Sequence, residues 1–227
     1  MPNNLANATD AKDSPMLETI RPALAMIVLM TGLTGIVYPL AVTGIAQCVF
    51  PAAANGSLIE RGGQIVGSEL IGQPFSAPGY FHGRPSATLG LDPVDATRTT
   101  AAPYNAANSM GSNAGPTAQT LVERVRAGVA DYRQRNAGAA GLVPADAATT
   151  SASGLDPHIT PANAERQVAR VAAARGLAPE RVRQFVATAT EQRTFGFLGE
   201  PRVNVLLLNL SLDREQGGAP ARTVAHQ

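Results

Sequence analysis

The chain has little of several residue types that reactive or metal-binding sites often need: one cysteine, one lysine, three histidines and no tryptophan among 227 residues. The single Cys48 excludes an intramolecular disulfide and a cysteine-based zinc site, and three histidines are few for a metal centre. The one lysine, Lys12, lies near the N-terminus, so no glycine-rich loop ends in Gly-Lys-Ser/Thr. We therefore expect no metal, and the chain is not a P-loop nucleotidase.

Charge is also scarce and nearly balanced, with 18 basic and 17 acidic residues. Proteins that hold nucleic acid do so largely through an excess of positive charge. The composition therefore predicts no nucleic-acid partner.

The most distinctive segment that is present is apolar. No residue between Arg21 and Glu60 is charged, and residues 22–46 are rich in Leu, Ile and Val. A helix of roughly 20 residues spans the hydrocarbon core of a bilayer. We predict a short tail over residues 1–21 and one transmembrane helix over residues 22–46. A cleaved signal peptide is the alternative, but its apolar region should be only about 7 to 15 residues long.

Small residues in this helix suggest a partner helix. Gly32, Gly35 and Gly44 would allow another helix to approach closely, since association in lipid depends on packing. Pro39 removes a backbone donor and predicts a kink. A lone anchor whose glycines have no partner remains the alternative.

The flanking charges predict the orientation. Lys12 and Arg21 precede the helix, whereas only Arg61 follows it closely. By the positive-inside rule the N-terminus is cytoplasmic, so residues 47–213 form an extracytoplasmic domain. We expect the membrane to be the inner (cytoplasmic) membrane. Residues 214–227 are expected to be a disordered tail.

Periodicity predicts a mixed α/β domain of the α+β type. Residues 64–71 are read as one strand, and the nearly continuous apolar run of residues 203–212 as a second, buried strand. Three helices are predicted between them: residues 116–136, a segment from Pro161 that is capped by Thr160 and ends at Gly176, and one that begins at Pro179. Residues 136–152 remain undecided between a strand and a flexible connection.

Residues 76–115 are rich in Gly, Pro, Ser and Asn and show little periodicity. A loop system of this length is commonly functional. We expect residues 80–87 and 105–115 to form an interaction surface, while an ordinary surface loop, or a module that binds a small molecule, stays open.

Ser153, Asp156 and His158 are the residue types of a hydrolytic triad, but they lie within six consecutive residues. Triads are usually assembled from separate elements, and the sequence has no G-x-S-x-G motif here. A turn that leads into the Thr160-capped helix is the favoured interpretation, with a hydrolase as the alternative.

Several short segments, in order, are typical of one known family. Residues 70–75 read LIGQPF, 84–87 read RPSA, 151–159 read SASGLDPHI and 199–205 read GEPRVNV. After residue 17, nearly the whole chain resembles the C subunit of the Kdp potassium-transporting P-type ATPase of bacteria. Met110, where the family usually has Gly, is a small departure. The residues that this resemblance marks as family motif or subunit interface are Gly67, Ser68, Gly72, Gln73, Tyr80, Phe81, Arg84, Pro85, Ser86, Tyr104, Asn105, Gly111, Ser112, Asn113, Gly115, Pro116, Ser153, Gly154, Leu155, Asp156, Gln167, Arg170, Arg175, Glu200, Arg202, Asn204 and Asn209.

The resemblance implies a single-pass accessory subunit that neither hydrolyses ATP nor conducts the ion. Its implied partners are the P-type ATPase catalytic subunit, a channel-like potassium-translocating subunit, a small single-helix subunit and the lipid bilayer. It also implies a catalytic chaperone that raises the affinity of the catalytic subunit for ATP, and hence ATP as the cofactor. Because the predicted domain lies outside while ATP is inside, this effect could act by linkage alone.

Overall fold

The computed structural model describes residues 15–139 and 141–217, so most of the predicted tail over residues 214–227 lies outside the described residues. The chain divides into two compact units, Met1–Gly56 and Ser57–Gln227. We treat each unit by itself.

The first unit is helical. Helix α1 (Pro15–Gly32), a π-helical turn (Leu33–Val37) and helix α2 (Tyr38–Val49) follow one another, and a short helix α3 (Pro51–Ala54) comes after them. These helices include an apolar span, Thr19–Val49. Its most apolar stretch has a mean hydropathy of 2.0, and no part of that stretch is buried inside the described chain. Such a surface is typical of a helix surrounded by lipid. The prediction of one N-terminal helix apolar enough to span a membrane is confirmed.

Near Pro39, where the sequence predicts a kink, the helix contains the π-helical turn Leu33–Val37, two residues before the proline. The N–H of Tyr38 donates to the carbonyl oxygen of Leu33, five residues back. The hydroxyl of Thr34 donates to the carbonyl oxygen of Met30 at 2.6 Å. Since π turns interrupt the regular i to i−4 pattern, the helix changes its hydrogen bonding where the proline supplies no donor.

The second unit mixes strands and helices, as predicted. In its described part, residues 57–139 and 141–217, seven short strands form three antiparallel sheets. The strands are β1 (Leu58–Arg61) with β2 (Gln64–Ser68), β3 (Leu89–Leu91) with β4 (Thr99–Ala101), and β5 (His158–Ile159) and β6 (Thr190–Glu191) on either side of β7 (Arg202–Asn204). The helices are α4 (Gln119–Arg135), α5 (Ala145–Ala148), α6 (Pro161–Arg175), α7 (Pro179–Thr188) and α8 (Val205–Glu215).

Helix α6 begins and ends where its sequence signals predict. The side chain of Thr160 accepts a hydrogen bond from the N–H of Asn163 at 3.2 Å, and Pro161 occupies the first turn. Gly176 ends the helix in the left-handed conformation, at φ 64°. An L side chain is disfavoured there, so glycine is the natural residue at this end.

The predicted strand over residues 203–212 is wrong. Only Arg202–Asn204 pair in a sheet, and Val205–Glu215 form helix α8. The side chain of Asn204 accepts the N–H of Leu207 at 3.1 Å and so caps this helix. Seven of the eleven residues of α8 are buried, and the less buried Leu207, Ser211 and Arg214 lie on one face. Because Leu207 on that face is apolar like its neighbours, the sequence shows no clear amphipathic stripe from which a helix could be recognised.

One core holds the second unit together. Helices α6, α7 and α8 and strand β7 contribute nearly all of its buried side chains. Phe81, from the long loop, is fully buried in the same core. Because this ring is held by the helical layer, the irregular segment around it has a fixed position.

Candidate functional site

The marked residues lie mainly in loops and at the ends of elements. Gly67 and Ser68 end β2, Gln167, Arg170 and Arg175 lie on α6, Arg202 and Asn204 on β7, and Asn209 on α8, while the remaining ones occupy loops and turns. Gly32, Gly35, Pro39 and Gly44 lie in the apolar helix. A Cβ atom added at Gly32 or Gly44 would meet nothing within 4 Å, and one at Gly35 only a methyl group of Thr31, at 3.9 Å. Within residues 15–139 and 141–217, these glycine surfaces are therefore almost uncovered.

Two buried side-chain amides hold residues 81–82, and we call this pair the amide clamp. Asn209 accepts the N–H of Phe81 at 2.8 Å and donates to its carbonyl oxygen at 2.9 Å. Gln167 accepts the N–H of His82 at 2.8 Å and donates to its carbonyl oxygen at 3.1 Å. Both amides are 1% exposed. The backbone that would otherwise be buried without partners is thus fully paired.

Arg170 extends the clamp along the same loop. Its guanidinium donates to the carbonyl oxygens of Pro78 and Tyr80, at 2.5 and 2.8 Å, and to the Gln167 side chain at 2.6 Å. Burial and the nearby Arg135 charge lower the pKa of Arg170 to about 10, so it remains charged at neutral pH. Gln167 and Arg170 therefore hold the loop rather than lying on a solvated face of α6.

Arg175 forms a buried ion pair with Asp213. The two side chains lie 2.9 Å apart, and each is only 7% exposed. Asp213 also accepts a hydrogen bond from the hydroxyl of Tyr80 at 3.0 Å, and the guanidinium of Arg175 lies 4.7 Å above the Tyr80 ring. Tyr80 in turn stacks on Phe75, with ring centroids 5.4 Å apart. Helices α6 and α8 thereby fix the loop around Tyr80.

A second polar cluster joins the loop to the turn at residues 153–156. Arg84 pairs with Asp156 at 3.0 Å, and the Tyr104 hydroxyl donates to the carbonyl oxygen of Arg84 at 2.6 Å. Ser86 donates to the carbonyl oxygen of Gly154 at 2.8 Å. Burial raises the pKa of Tyr104, so its hydroxyl stays protonated and keeps donating.

Asp156 remains an anion in this cluster. Burial acts to raise the pKa of its carboxyl, but hydrogen bonds from His158 and Arg84 outweigh that effect, and the pKa lies below its usual range. Gly72 fits tightly beside it, since an added Cβ atom would lie 2.9 Å from the Asp156 carbonyl oxygen and would overlap the Tyr104 ring. These contacts bring three of the family segments together in space: residues 70–75, 84–87 and 151–159.

The arrangement at residues 153–158 does not favour hydrolysis. The Ser153 hydroxyl oxygen accepts the N–H of Leu155 at 3.1 Å, whereas Asp156 accepts the N–H of His158 at 3.0 Å and lies 3.3 Å from its ring. In the hydrogen bonds that the structure describes, Ser153 and His158 are not partners, although a nucleophile and its base need such a contact. The interpretation as a turn fits these bonds better.

The remaining marked residues are placed more simply. Gln73 donates to the carbonyl oxygen of Val66 at 2.7 Å, Asn105 to that of Leu89 at 2.7 Å, and Asn204 to that of Glu69 at 2.8 Å. Glu200 and Arg202 each belong to an exposed ion pair, Glu200 with Arg193 and Arg202 with Glu191. Residues 111–116 form the irregular connection that precedes α4, and Pro85 and Leu155 lie in the loop and the turn described above.

A cleft of about 490 Å³ opens beside the amide clamp. The loop contributes Arg84 to its lining, and helix α4 contributes Arg124, Asp131 and Arg135. The Nε of Arg84 is buried and has no hydrogen-bond partner within the described part of the chain. Arg84 and Arg135 are each paired with a carboxylate, Asp156 and Asp131, so the positive balance of the lining comes from Arg124. One such charge could face an anionic group. The contribution of α4 is not evident from the sequence, because its arginines have the spacing of an ordinary solvated helix face.

His82 lines the same cleft in its neutral form. Burial, together with the charges of Arg170 and Arg135, lowers its pKa to about 4. Arg135 lies 2.8 Å from Nδ1, and Nε2 lies 3.1 Å from the carbonyl oxygen of Ala77. Since a guanidinium can only donate, Nδ1 is the acceptor and Nε2 carries the proton.

Asp146 is a further polar anchor that the sequence analysis missed. Its carboxylate accepts the backbone N–H of Thr160 at 2.8 Å and the side-chain amide of Asn163 at 3.0 Å. A carboxylate is favoured at a helix N-terminus, so Asp146 fixes the start of α6. The stretch left undecided over residues 136–152 thus contains the short helix α5, and Asp146 lies within it.

A metal site does not emerge, since no group of three or more suitable ligands occurs in residues 15–139 and 141–217.

Comparison with known proteins agrees with this arrangement. Residues 20–214 match the family model described as KdpC: K+-transporting ATPase, c chain. The potassium-transporting ATPase KdpC subunit of Bradyrhizobium diazoefficiens is 57% identical over 199 residues, which is 88% of this chain and 98% of the relative. The KdpC subunit of Methylorubrum extorquens is 58% identical over 197 residues, 87% of this chain and 97% of the relative. The chain therefore belongs to the KdpC family of potassium-transporting ATPase subunits.

Proposed function

We propose that this chain is the accessory subunit that stabilises a potassium-transporting ATPase and raises the affinity of its catalytic subunit for ATP, as a catalytic chaperone. In this proposal it neither hydrolyses ATP nor carries the ion. Its partners are the P-type catalytic subunit, the channel-like potassium-translocating subunit and the small single-helix subunit. It resides in the inner membrane with its N-terminus in the cytoplasm and its second unit outside.

The main support for the proposal is that several residues of the family motifs bond to other parts of the same chain. Gln167, Asn209 and Arg170 bind the chain's own backbone, and Arg175 is paired with Asp213. Such bonds give the irregular loop a single shape. A rigid, irregular surface of this kind suits recognition by other subunits better than turnover of a substrate.

The uncovered glycines of the first unit support assembly within the membrane. Among the described residues, an added Cβ atom would meet nothing at Gly32 or Gly44 and only a Thr31 methyl group at Gly35. Close approach of helices at small residues is a main source of association in lipid. The apolar helix is thus proposed to pack on helices of its partner subunits.

In the second unit, the proposed contact with the channel-like subunit uses the exposed parts of the loop. Residues 106–109 and 113 are exposed, whereas Phe81 and His82 are buried and can act only by shaping the loop. Hydrogen exchange of the chain alone and in the complex tests this contact. Protection gained at residues 105–115 supports it, and unchanged exchange there contradicts it.

The effect on ATP affinity is proposed to act by linkage, because the second unit and cytoplasmic ATP are on opposite sides of the membrane. A subunit that binds one state of the pump more tightly raises the affinity for any ligand which favours that state. Direct binding of ATP would instead use the cleft, where Arg84, Arg124 and Arg135 could face phosphate groups.

One experiment separates linkage from direct contact. The ATPase activity of the purified complex is titrated with ATP, first with the wild-type chain and then with Arg124→Ala, which removes charge from the cleft. Linkage predicts the same half-saturating ATP concentration for both, and a higher value for a complex that lacks the chain. A several-fold higher value for Arg124→Ala would favour direct contact, and no change on omitting the chain would contradict the proposed role.

A further inference from the structure

An exposed apolar loop lies between strands β6 and β7. Thr194 and Leu198 are bridged by two backbone hydrogen bonds of 2.9 Å, and Gly196 donates to the carbonyl oxygen of Arg193 at 3.0 Å. Phe195, Phe197 and Leu198 are 84%, 70% and 50% exposed. We call residues 195–198 the apolar tip. Two exposed phenylalanines, separated by one glycine, leave apolar surface in water, which is unfavourable unless something covers it.

The backbone of the apolar tip makes the presence of phenylalanine more unusual. Phe195 has φ 54° and Gly196 has φ 81°, so both adopt the left-handed region. Glycine and asparagine adopt this conformation more easily than a bulky residue does. Phe195 therefore makes the turn less favourable and gains almost no burial within the chain. Residues held in unfavourable conformations are concentrated at functional positions.

The apolar tip is anchored by the two strands that flank it. It is flanked by Thr190–Glu191 on one side and by Arg202–Asn204 on the other, which pair as neighbouring strands. Val203, on the second of these strands, is fully buried in the core. The tip therefore projects from a fixed base and would lose little conformational freedom on binding.

The charges around the tip neutralise one another. Arg193 pairs with Glu200 at 2.6 Å, and Arg202 pairs with Glu191 at 2.8 Å. Surfaces that bind anionic lipid generally combine apolar residues with excess basic charge. Here the basic side chains are already matched by carboxylates, so the tip suits an uncharged apolar pocket of a protein better than a headgroup surface.

We propose that the apolar tip docks into an uncharged apolar pocket on another protein subunit of the ATPase. This inference rests on the proposed association with partner subunits and does not depend on the effect on ATP affinity. The three exposed apolar side chains form a small anchor on a turn. In many interfaces, a few anchoring side chains of this kind contribute most of the binding energy.

Site-specific photocrosslinking tests the proposal in the assembled complex. A benzophenone-bearing phenylalanine analogue replaces Phe197 in cells that produce every subunit, and the adducts are identified by mass spectrometry. Val94, which is 96% exposed at the end of the β3–β4 hairpin, receives the same group as a control. We expect an adduct with another subunit from position 197, at least fivefold more abundant than from position 94. Adducts with lipid only, with a second copy of the chain, equal yields at both positions or no adduct would overturn the proposal.

A matched set of variants provides the energetic test. Phe195→Asn and Phe197→Ser remove the apolar groups, and asparagine tolerates the left-handed conformation, so the melting temperature of the purified chain should not fall. Recovery of the partner subunits with the tagged chain should drop at least fivefold, while Val94→Ser should leave it unchanged. Full recovery with both tip variants would contradict the docking. If these results hold while the half-saturating ATP concentration stays constant on omitting the chain, only the proposed effect on ATP affinity fails.

Discussion

The side-chain amide of Gln167 pairs with both backbone groups of His82, which lies 85 residues earlier in the chain. The bonds are 2.8 and 3.1 Å long, and Gln167 is 1% exposed. A single side chain thus replaces a neighbouring strand for this stretch of loop. These two hydrogen bonds explain why a loop without periodicity has a defined shape. Gln167 therefore stabilises the fold.

Replacing Gln167 with leucine should destabilise the second unit. The substitution leaves the N–H and the carbonyl of His82 buried without partners, which costs about 3 kcal/mol in the free energy of unfolding. Urea denaturation of the full-length chain in detergent measures this change. Gln184→Leu, on the exposed face of α7, is the control and should alter the free energy by less than about 0.5 kcal/mol. Equal effects of the two substitutions would refute the clamp.

Removing Asp213 should be more costly than removing an exposed carboxylate. Asp213→Ala leaves Arg175 buried without its partner charge, and the expected loss is about 3 kcal/mol. Glu165→Ala removes one of the two carboxylate partners of Arg183 at the surface, where the loss should stay below about 1 kcal/mol. Thermal denaturation followed by circular dichroism compares the two variants. A similar decrease in melting temperature for both would contradict the buried position of the pair.

The stability of the chain should depend on pH through His82. Its pKa is about 4 in the folded protein and near 6.5 when unfolded, so between these values the unfolded state binds more protons. Stability therefore falls as the pH decreases from 6.5 to 4, by an amount on the order of 2 to 3 kcal/mol. Unfolding free energies measured across this range should show a smaller slope for His82→Gln. His158→Gln is the control, and an unchanged slope for His82→Gln would refute the assignment.

Enlarging Gly35 should weaken assembly without disturbing the chain itself. A Cβ atom there would contact only the Thr31 methyl group, so Gly35→Leu should leave the helicity of the purified chain unchanged. Recovery of partner subunits in mild detergent should decrease severalfold, since a large side chain prevents close helix approach. Ala41→Leu provides a small-to-large control in the same helix. Undiminished recovery with Gly35→Leu would show that no partner helix packs there.

Gly72 should not tolerate even a methyl group. The added Cβ atom of Gly72→Ala would overlap the Tyr104 ring and approach the carbonyl oxygen of Asp156. Overpacking of this kind costs about 1 to 3 kcal/mol. Gly115→Ala is the matched control, because nothing lies within 4 Å of the added atom there. Chemical denaturation should separate the two variants, and equal stabilities would contradict the close fit.

The sequence by itself determined the features that depend on local signals. A long segment without charge specifies an apolar helix whatever follows it. The capping threonine, the first-turn proline and the terminal glycine of α6 act within a few residues, so both ends of that helix could be predicted. The ordered motifs, too, identified the family before any contact was known.

Only the tertiary structure decided between strand and helix for residues 205–212. Residues 205–208 are apolar without interruption, so they show no periodicity that distinguishes the two, and the Asn204 cap became evident only with its contact to Leu207. The amide clamp joins residues separated by 85 and 128 positions, and the cleft brings α4 against a loop from another part of the chain. Such contacts depend on how distant segments pack, which local propensities do not specify.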